Sequence, residues 1–514
     1  MLKEIDDSNI EKYETHLQWL LSEGQGETFY EIGLDSTGSS EGLDQQNYDT
    51  AVANLNKVAT KSKAIVSLVC ERTGKGGKVG SFLVREAAPE ICVDVRYCVC
   101  GNVDSGKSTM VGVLTRGQLD NGRGLVRINC FAHKHEIDTG RTSSISQQIM
   151  GFNVKGECVN QVLMDSSASH AYSWGDIIEN SYKVISFLDL AGHEKYLKTT
   201  VSGMTGHMPD YCLLLIGANM GVTRMTKEHL GIALALKIPV IVVITKIDMC
   251  PANVLKQTMS DLQKILKMRG VRKISLVVRT QDDLITAIKS INNDRIIPIF
   301  MLSNVTGENL DAFRKFLNVV PPRIQWDLLR EKPAEVLIDQ TYFVTGVGTV
   351  VGGTVMAGKV PAGQTLLLGP DGNGAFMPVQ IKSVHSKRVP VKQVVAGQSA
   401  GFALKKIKRS MIRKGMVLVD PSEKPQATWT FEADIIVLYH STTIHTNYQP
   451  VVQCMTIRQS AKIIKILERD VLRTGDKANV RFKFLYRPEY LKVGMRLIFR
   501  EGRCKGLGII SKVR

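Results

Sequence analysis

A chain of 514 residues is too long for one hydrophobic core, so roughly three or four domains are expected. Hydrophobic residues make up 44% and charged residues 22%, as in ordinary globular proteins, and the longest apolar runs fall far short of the roughly 20 residues that span a bilayer, which excludes a membrane-spanning protein. The net charge of +17 favours a polyanionic partner, while ten scattered cysteines and an N-terminus without a signal-peptide pattern indicate a cytoplasmic protein with reduced thiols.

Residues 1–62 are predicted to form an acidic, largely flexible N-terminal segment. Residues 1–50 hold twelve acidic and two basic residues, so this part carries −10 and the rest of the chain carries +27. Its polar composition and Gly/Ser-rich stretches do not favour a packed core. Charge alone does not tell whether the basic remainder meets RNA, DNA or a membrane surface, or is only a solvated face.

Residues 63–94 are predicted to form a β-hairpin extension. Two apolar runs, 64–70 and 81–85, flank the glycine-rich stretch 74–77. This arrangement is typical of two antiparallel strands joined by a tight turn.

Residues 95–322 alternate between short apolar runs and segments of helical spacing. Predicted strands lie at 95–100, 183–189, 211–216, 240–245 and 297–302. Such alternation indicates an α/β domain with a mostly parallel sheet and helices on both of its faces. Ligands of these sheets bind at the carboxyl ends of the strands, where the motifs described next occur.

The first of these motifs follows the strand at 95–100 and has the form G-x-x-x-x-G-K-[ST]. Such a loop cradles nucleotide phosphates with its backbone amides, its lysine reaches the β- and γ-phosphates, and its hydroxyl supplies a ligand to Mg²⁺. Lys107 and Ser108 are assigned these last two roles. The loop, predicted to bind the nucleotide, comprises Gly101, Asn102, Val103, Asp104, Ser105, Gly106, Lys107, Ser108 and Thr109.

The second motif, Asp189-Leu-Ala-Gly192, follows the strand at 183–189. Asp189 suits a carboxylate that holds Mg²⁺ through water, and Gly192 can offer its backbone N–H to a γ-phosphate. The next residue, His193, is the candidate catalytic residue, because it can orient water toward the γ-phosphorus.

The third motif, Thr245-Lys246-Ile-Asp248, follows the strand at 240–245 and selects the base. Asp248 can accept hydrogen bonds from N1–H and the exocyclic amine of guanine, which adenine does not offer, and the Lys246 stem can lie along the base. A fourth motif after the next strand could meet guanine O6 through its backbone amides; it consists of Ser303, Asn304 and Val305. The four motifs together predict a GTPase that converts GTP to GDP and phosphate with Mg²⁺.

Beyond residue 332 the hydrophobic period is two, with frequent glycine punctuation. Residues 333–422 and 423–514 are therefore predicted to form two antiparallel β-barrel domains. Within the first, residues 405–414 contain six basic and no acidic side chains, a pattern suited to nucleic-acid phosphates or to a solvated face.

These motifs resemble those of the translational GTPases, and 346–354 and 496–512 are similar to the barrel signatures of the elongation factor Tu group. Within that group, the segments 120–124, 133–136, 140–144, 195–200 and 204–207 resemble the GTP-binding protein 1 family. The resemblance covers residues 63–514. It implies a P-loop GTPase domain followed by two barrels, aminoacyl-tRNA and ribosomes as partners of a monomer, and a role in elongation or stalled-ribosome rescue.

The alternative is a GTP-switched mRNA-surveillance adaptor, in which the acidic N-terminus docks an RNA-decay or quality-control factor.

Translational GTPases carry Arg-Gly-Ile-Thr in the first switch, with the threonine as a Mg²⁺ ligand. Here Arg141-Thr-Ser-Ser144 stands in its place. An ungapped alignment makes Ser144 the metal ligand, and Thr142 is the other candidate.

Overall fold

The computed structural model describes residues 10–35, 37–87, 92–131, 133–161, 173–268, 270–438, 440, 442–501 and 503–514. Contacts divide the chain into two compact units. The first comprises residues 1–194, 210–229 and 239–324, and the second comprises 195–209, 230–238 and 325–514. Among the described helices, none is both long enough and apolar enough to cross a membrane.

Among the described residues of the first unit, two helices and three strands precede the nucleotide motifs. The strands form an antiparallel sheet in the order β1-β3-β2. The elements are α1 (Ile10–Glu23), β1 (Glu27–Ile32), α2 (Gln45–Lys61), β2 (Ala64–Gly74) and β3 (Gly77–Glu86).

This N-terminal layer has its own hydrophobic cores and differs from the predicted flexible segment. Leu17 and Leu21 of α1 and Val58 of α2 pack with Val84 of β3. Residues 10–61 are therefore folded against the predicted hairpin, which is the β2–β3 pair. Sequence composition misjudged this stretch because its few apolar residues recur at helical spacing and meet a sheet supplied by later residues.

A seven-stranded sheet in the order β5-β6-β4-β7-β8-β10-β9 forms the centre of the first unit. All its pairs are parallel except β5 with β6. Its strands are β4 (Val93–Gly101), β5 (Ser146–Phe152), β6 (Lys183–Asp189), β7 (Tyr211–Gly217), β8 (Val240–Thr245), β9 (Ile274–Val277) and β10 (Ile296–Met301).

The central strands are buried along their whole length, as expected for a sheet covered by helices. The helices associated with these strands in sequence are α3 (Lys107–Arg116), α4 (Lys134–Thr139), α5 (Trp174–Glu179), α6 (Leu197–Gly206), α7 (Arg224–Ala235), α8 (Ala252–Lys267), α9 (Gln281–Ser290) and α10 (Leu310–Val319). The predicted mostly parallel α/β fold is confirmed, and the carboxyl ends of β4, β6, β8 and β10 carry the four motifs.

The second unit contains two antiparallel barrels. The first closes through the order β14-β19-β11-β12-β18-β15 with a further pairing of β14 to β15. It follows α11 (Asp327–Arg330), and its strands are β11 (Glu335–Val344), β12 (Gly348–Ala357), β13 (Lys359–Pro361), β14 (Thr365–Gly369), β15 (Met377–Ser386), β16 (Val389–Val391), β17 (Gln393–Val395), β18 (Ser399–Leu404) and β19 (Val417–Val419).

The second barrel closes in the order β20-β23-β22-β21-β24-β25. Alternate residues of β23 are buried, which is the period-two pattern predicted from the sequence. Its strands are β20 (Thr430–Val437), β21 (Val451–Cys454), β22 (Ile457–Ile466), β23 (Lys477–Phe484), β24 (Arg496–Glu501) and β25 (Arg503–Val513), and both predicted barrels are confirmed.

Candidate functional site

The loop between β4 and α3 has the shape of an anion cradle. Gly101 and Gly106 have positive φ angles of 146° and 82°, and a Cβ on Gly101 would lie 2.3 Å from the Leu215 carbonyl oxygen. Glycine is therefore required at 101, where β4 passes close to β7. The loop ends at the N-terminus of α3, where free amides and the helix dipole favour an anion.

Lys107 begins this helix and is almost fully buried. Its Nζ donates to the Asn102 carbonyl oxygen at 2.7 Å, within the loop itself. Burial lowers the pKa of Lys107, and Asp189 opposes that shift. A buried ammonium ion beside several amide donors favours binding of a polyanion, because little solvent screens the positive charge.

Oxygen atoms from three separate elements converge beside Lys107. Ser108 Oγ donates to Asp189 Oδ2 at 2.5 Å and lies 2.9 Å from Thr142 Oγ1. Thr142 Oγ1 lies 3.5 Å from the same carboxylate oxygen. Ser144 is placed elsewhere: its hydroxyl donates to Glu136 Oε1 at 3.0 Å. Of the two first-switch candidates, the structure thus groups Thr142, and not Ser144, with Ser108 and Asp189.

Asp189 ends β6 in a fully buried position. Its Oδ1 has no hydrogen-bond partner among the described residues. Burial raises the pKa of Asp189 to about 6, against the lowering effects of Lys107, Ser108 and Thr142. A buried carboxylate oxygen without a partner is costly unless a ligand satisfies it.

Gly192 and His193 border the same pocket as Lys107, Ser108 and Thr142. A Cβ on Gly192 would lie 2.5 Å from Lys107 Nζ and 2.8 Å from the Asn102 backbone, so only glycine fits there. His193 is exposed at the pocket mouth. The pocket is lined by Val103, Asp104, Gly106, Lys107, Ser108, Thr109, Arg127, Gly140, Arg141, Thr142, Gly192 and His193.

The two predicted base motifs lie at the ends of β8 and β10, strands that pair directly. Thr245 Oγ1 donates to the Ser105 carbonyl oxygen at 2.8 Å, which ties this edge to the phosphate loop. Lys246 has a φ of 63°, and Asp248 beyond it is exposed. The turn thus presents the Asp248 carboxylate to solvent next to the loop.

The side chain of Ser303 fixes the turn that follows β10. Ser303 Oγ accepts from the amides of Val305 and Thr306, each at 3.1 Å. Asn304 is buried, and its Oδ1 has no hydrogen-bond partner among the described residues. Its carbonyl oxygen accepts from the Asp120 amide at 2.9 Å.

One further residue beneath the loop, His229 of α7, is not predicted by any sequence motif. Its Nδ1 accepts from the Gly101 amide at 3.1 Å, and its ring is fully buried. Burial, and then the charge of Lys107, lowers the pKa of His229 to about 3. The ring is thus neutral and fixes the start of the loop; this contact spans 128 positions and has no local pattern.

Acidification is expected to destabilise the protein through His229. The unfolded side chain binds a proton below about pH 6.5, whereas the folded one stays neutral to about 3, so stability is lost as pH falls through this window. Between pH 7 and 5 this group costs about 2 kcal/mol of stability. His229→Gln removes this contribution, so its melting temperature falls less than that of the wild type between these pH values.

Thermal unfolding of the full chain at both pH values measures this difference. The exposed His16 provides a matched control, and His16→Gln should keep the wild-type pH dependence. Identical pH dependence in His229→Gln and the wild type would contradict the assignment.

The residues at this site fit a hard cation and a phosphate chain. Two hydroxyls and a carboxylate with one unpartnered buried oxygen form the all-oxygen donor set that Mg²⁺ prefers. The glycine-containing loop offers backbone amides and the ammonium group of Lys107, which are the donors that a phosphate requires.

Comparison with known proteins gives the class. Residues 94–331 match the family model of the elongation factor Tu GTP-binding domain, and residues 348–419 match that of elongation factor Tu domain 2. The fold is similar to that of translation elongation factor SelB from Methanococcus maripaludis in complex with the GTP analogue GppNHp, with a TM-score of 0.58 and 19% identity over 82% of this chain and 80% of that one. The fold and the family models define a translational GTPase that hydrolyses GTP.

Two named relatives narrow the class further. GTP-binding protein 1 of Xenopus laevis is 52% identical over 98% of this chain and 77% of its own length. GTP-binding protein 2 of Homo sapiens is 43% identical over 97% of this chain and 84% of its own length. The chain therefore belongs to the GTP-binding protein 1 and 2 family of translational GTPases.

Proposed function

We propose that this GTPase is a switch that holds aminoacyl-tRNA while GTP is bound and releases it after hydrolysis at the ribosome. The observation that carries the proposal is the convergence of Ser108, Thr142 and Asp189 beside the phosphate loop, which puts the first switch in contact with the two other proposed magnesium ligands. A switch segment held in this way can report whether a γ-phosphate is present.

The phosphate loop holds the nucleotide in this proposal. The amides of residues 101–109 surround the β-phosphate, and Lys107 Nζ leaves its contact with the Asn102 carbonyl oxygen to bind the β- and γ-phosphates. Gly192 offers its amide to the γ-phosphate, and the close approach of Asn102 explains why a side chain is not tolerated there. All these groups belong to the first unit.

Ser108 and Thr142 would supply hydroxyl ligands for Mg²⁺, and the Asp189 carboxylate would help to hold it. When bound, the ion neutralises charge on the phosphate oxygens. Thr142 replaces Ser144 in this role because the Ser144 hydroxyl is engaged by Glu136.

Asp248 selects guanine through two hydrogen bonds, with the Lys246 stem along the base and the backbone of Ser303, Asn304 and Val305 near O6. The hydrogen bond from Thr245 to Ser105 supports this assignment, because it fixes the base edge relative to the phosphate loop. Because the base edge and the phosphate loop are linked, one site can select both the triphosphate and the guanine base of its ligand.

His193 orients the attacking water. Its exposed position at the pocket mouth supports this role and suits a side chain that a ribosome moves into place. Replacing it by alanine is expected to lower ribosome-stimulated hydrolysis by roughly 100-fold or more, with nucleotide affinity within about twofold of the wild type, since water positioning acts on the transition state.

Single-turnover GTP hydrolysis with purified ribosomes measures this effect. His385, an exposed histidine of the first barrel, provides the control, and His385→Ala should hydrolyse GTP at the wild-type rate. An undiminished rate in His193→Ala, or a wild type that ribosomes and RNA do not stimulate, would count against the proposed function.

A basic surface on the first barrel supports an RNA cargo. Between residues 405 and 414, five of the six cations are exposed, while Arg413 forms an ion pair with Glu489 at 2.8 Å. The exposed cations are Lys405, Lys406, Lys408, Arg409 and Lys414. In this proposal the protein works in the cytoplasm as a monomer, and RNA crosslinked to it in cells is enriched in tRNA and ribosomal RNA.

A further inference from the structure

Glu136 is a fully buried carboxylate at the first switch, on the short helix α4 and outside the four nucleotide motifs. Burying a carboxylate is unfavourable unless hydrogen bonds or cations satisfy it. The hydrogen bonds that this carboxylate accepts therefore show which part of the chain it holds in place.

The carboxylate binds the segment that follows α4. Glu136 Oε1 accepts from the amide of Ser143 at 2.6 Å and from its hydroxyl at 2.8 Å. The same oxygen accepts from the amide of Ser144 at 2.9 Å and from its hydroxyl at 3.0 Å. The other oxygen accepts from the His133 amide at 3.1 Å, at the start of α4. One side chain thus joins the beginning of α4 to both serines.

These contacts set the orientation of Thr142. The helix ends at Thr139, and the next residue, Gly140, has a φ of 64° that turns the chain back across α4. Ser143 and Ser144 are then fixed on Glu136, while the preceding side chain, Thr142, faces Ser108 and Asp189. Fixing the two serines therefore places the Thr142 hydroxyl on the opposite side of the segment.

We infer that Glu136 is a positioning residue for the proposed metal site. It holds Ser143 and Ser144 so that the Thr142 hydroxyl lies beside the Ser108 hydroxyl. The inference rests on the proposed function, in which Thr142 contributes to binding Mg²⁺ and a triphosphate. Glu136 contacts neither nucleotide nor metal in this scheme and acts only through Thr142. Its loss therefore weakens binding of the triphosphate and leaves binding of the diphosphate nearly unchanged.

The experiment measures affinities of the full chain for fluorescent GDP and fluorescent GTPγS, with and without Mg²⁺. Glu136→Ala is expected to weaken Mg²⁺-dependent GTPγS binding by roughly tenfold or more, the range for hydrogen bonds to a charged group, with GDP binding within about twofold. Thr142→Ala should show the same selective loss. The double variant should be no weaker than Thr142→Ala alone, because both changes remove one interaction.

A second set of variants separates positioning from a general loss of structure. The pair Ser143→Ala and Ser144→Ala removes two donors and keeps the buried carboxylate with its amide bonds, so a smaller loss confined to GTPγS is expected. Glu179, an exposed residue of α5, serves as the control, and Glu179→Ala should match the wild type. Tryptic cleavage after Arg141 should be suppressed by GTPγS in the wild type and not in Glu136→Ala.

Equal weakening of GDP and GTPγS binding in the Glu136 and serine variants would overturn the positioning role, as would additive losses in the double variant. A wild type that does not bind GTPγS in a Mg²⁺-dependent way would overturn the proposed function itself. These two failures are distinguishable, since the first is read from variants and the second from the unmodified chain.

Discussion

Replacing Asp248 by asparagine is expected to lower GTP affinity at least roughly 100-fold and to create affinity for xanthosine triphosphate. In the proposed site the carboxylate accepts from N1–H and from the exocyclic amine of guanine, and an amide NH₂ in its place opposes that amine. Xanthine carries a carbonyl oxygen there, to which the new amide can donate. The expected loss of GTP affinity is large because the exocyclic amine of guanine would face another NH₂ group and would have no hydrogen-bond acceptor.

The surroundings of Asp248 suggest that its substitution leaves the rest of the site unchanged. The turn that carries it is anchored by Thr245, whose hydroxyl donates to the Ser105 carbonyl oxygen, and this bond does not involve the changed side chain. Because Asp248 is exposed, its substitution is not expected to perturb the fold. The phosphate loop of the variant therefore still holds the triphosphate, and only the choice of base changes.

Competition binding with GTP, ATP and xanthosine triphosphate tests this prediction. Asp294→Asn changes another exposed aspartate of the same unit and should leave all three affinities as in the wild type. Unchanged GTP binding by Asp248→Asn would remove Asp248 from the base site.

Replacing Glu27 by alanine is expected to destabilise the first unit by about 3–5 kcal/mol. Its carboxylate accepts from Lys183 Nζ at 2.5 Å and from Arg85 Nη2 at 3.0 Å, and all three side chains are buried. Alanine would leave two cations without their carboxylate. Burial already lowers the pKa of Lys183 to about 8, and Glu27 is the main group that opposes this shift.

Thermal and urea unfolding of the full chain measure the loss, monitored by GDP binding so that the first unit is followed. Glu23→Ala, at an exposed site at the end of α1, is the control and should change stability by less than about 0.5 kcal/mol. Adding Lys183→Met to Glu27→Ala should recover part of the stability, since it removes one unpaired charge. A Glu27→Ala variant as stable as the wild type would show that the cluster does not stabilise the unit.

The buried cluster of Glu27, Arg85 and Lys183 makes a deletion of the N-terminal segment unsuitable as a test of its role. Deleting residues 1–62 would separate a docking role from tRNA binding if that segment were flexible. In the structure the deletion removes Glu27 and the helices α1 and α2, and it uncovers Arg85 and Lys183. Single substitutions on exposed positions of α1 and α2 are the appropriate test of partner binding.

The nucleotide motifs were predictable because each is a short stretch at the end of an apolar strand. The phosphate loop, Asp189 and Asp248 need only local chain geometry and parallel strands to reach the same edge of the sheet. The strands that carry these motifs lie in one sheet, and the roles of the residues at their ends stay predictions. Period-two patterning likewise predicted both barrels, because alternation reports burial directly.

The missed features depend on contacts between distant residues. Glu27 meets Lys183 across 156 positions, and His229 meets Gly101 across 128, so neither leaves a local pattern. The orientation of Thr142 follows from the hydrogen bonds of Glu136 to Ser143 and Ser144, which a motif comparison does not contain. The acidic composition of residues 1–62 predicts flexibility, whereas in the fold Glu27 is paired with Arg85 and Lys183, which come later in the chain.

The buried cluster also sets an order of events during synthesis. Arg85 and Lys183 donate to the Asn318 carbonyl oxygen, and Lys183 also donates to that of Val320. These acceptors are made more than 230 residues after Arg85, which takes roughly 10–50 s at typical translation rates. During that interval the N-terminal layer lacks these contacts, so Arg85 and Lys183 are without the backbone acceptors of residues 318 and 320 until the end of the α/β domain has been synthesised.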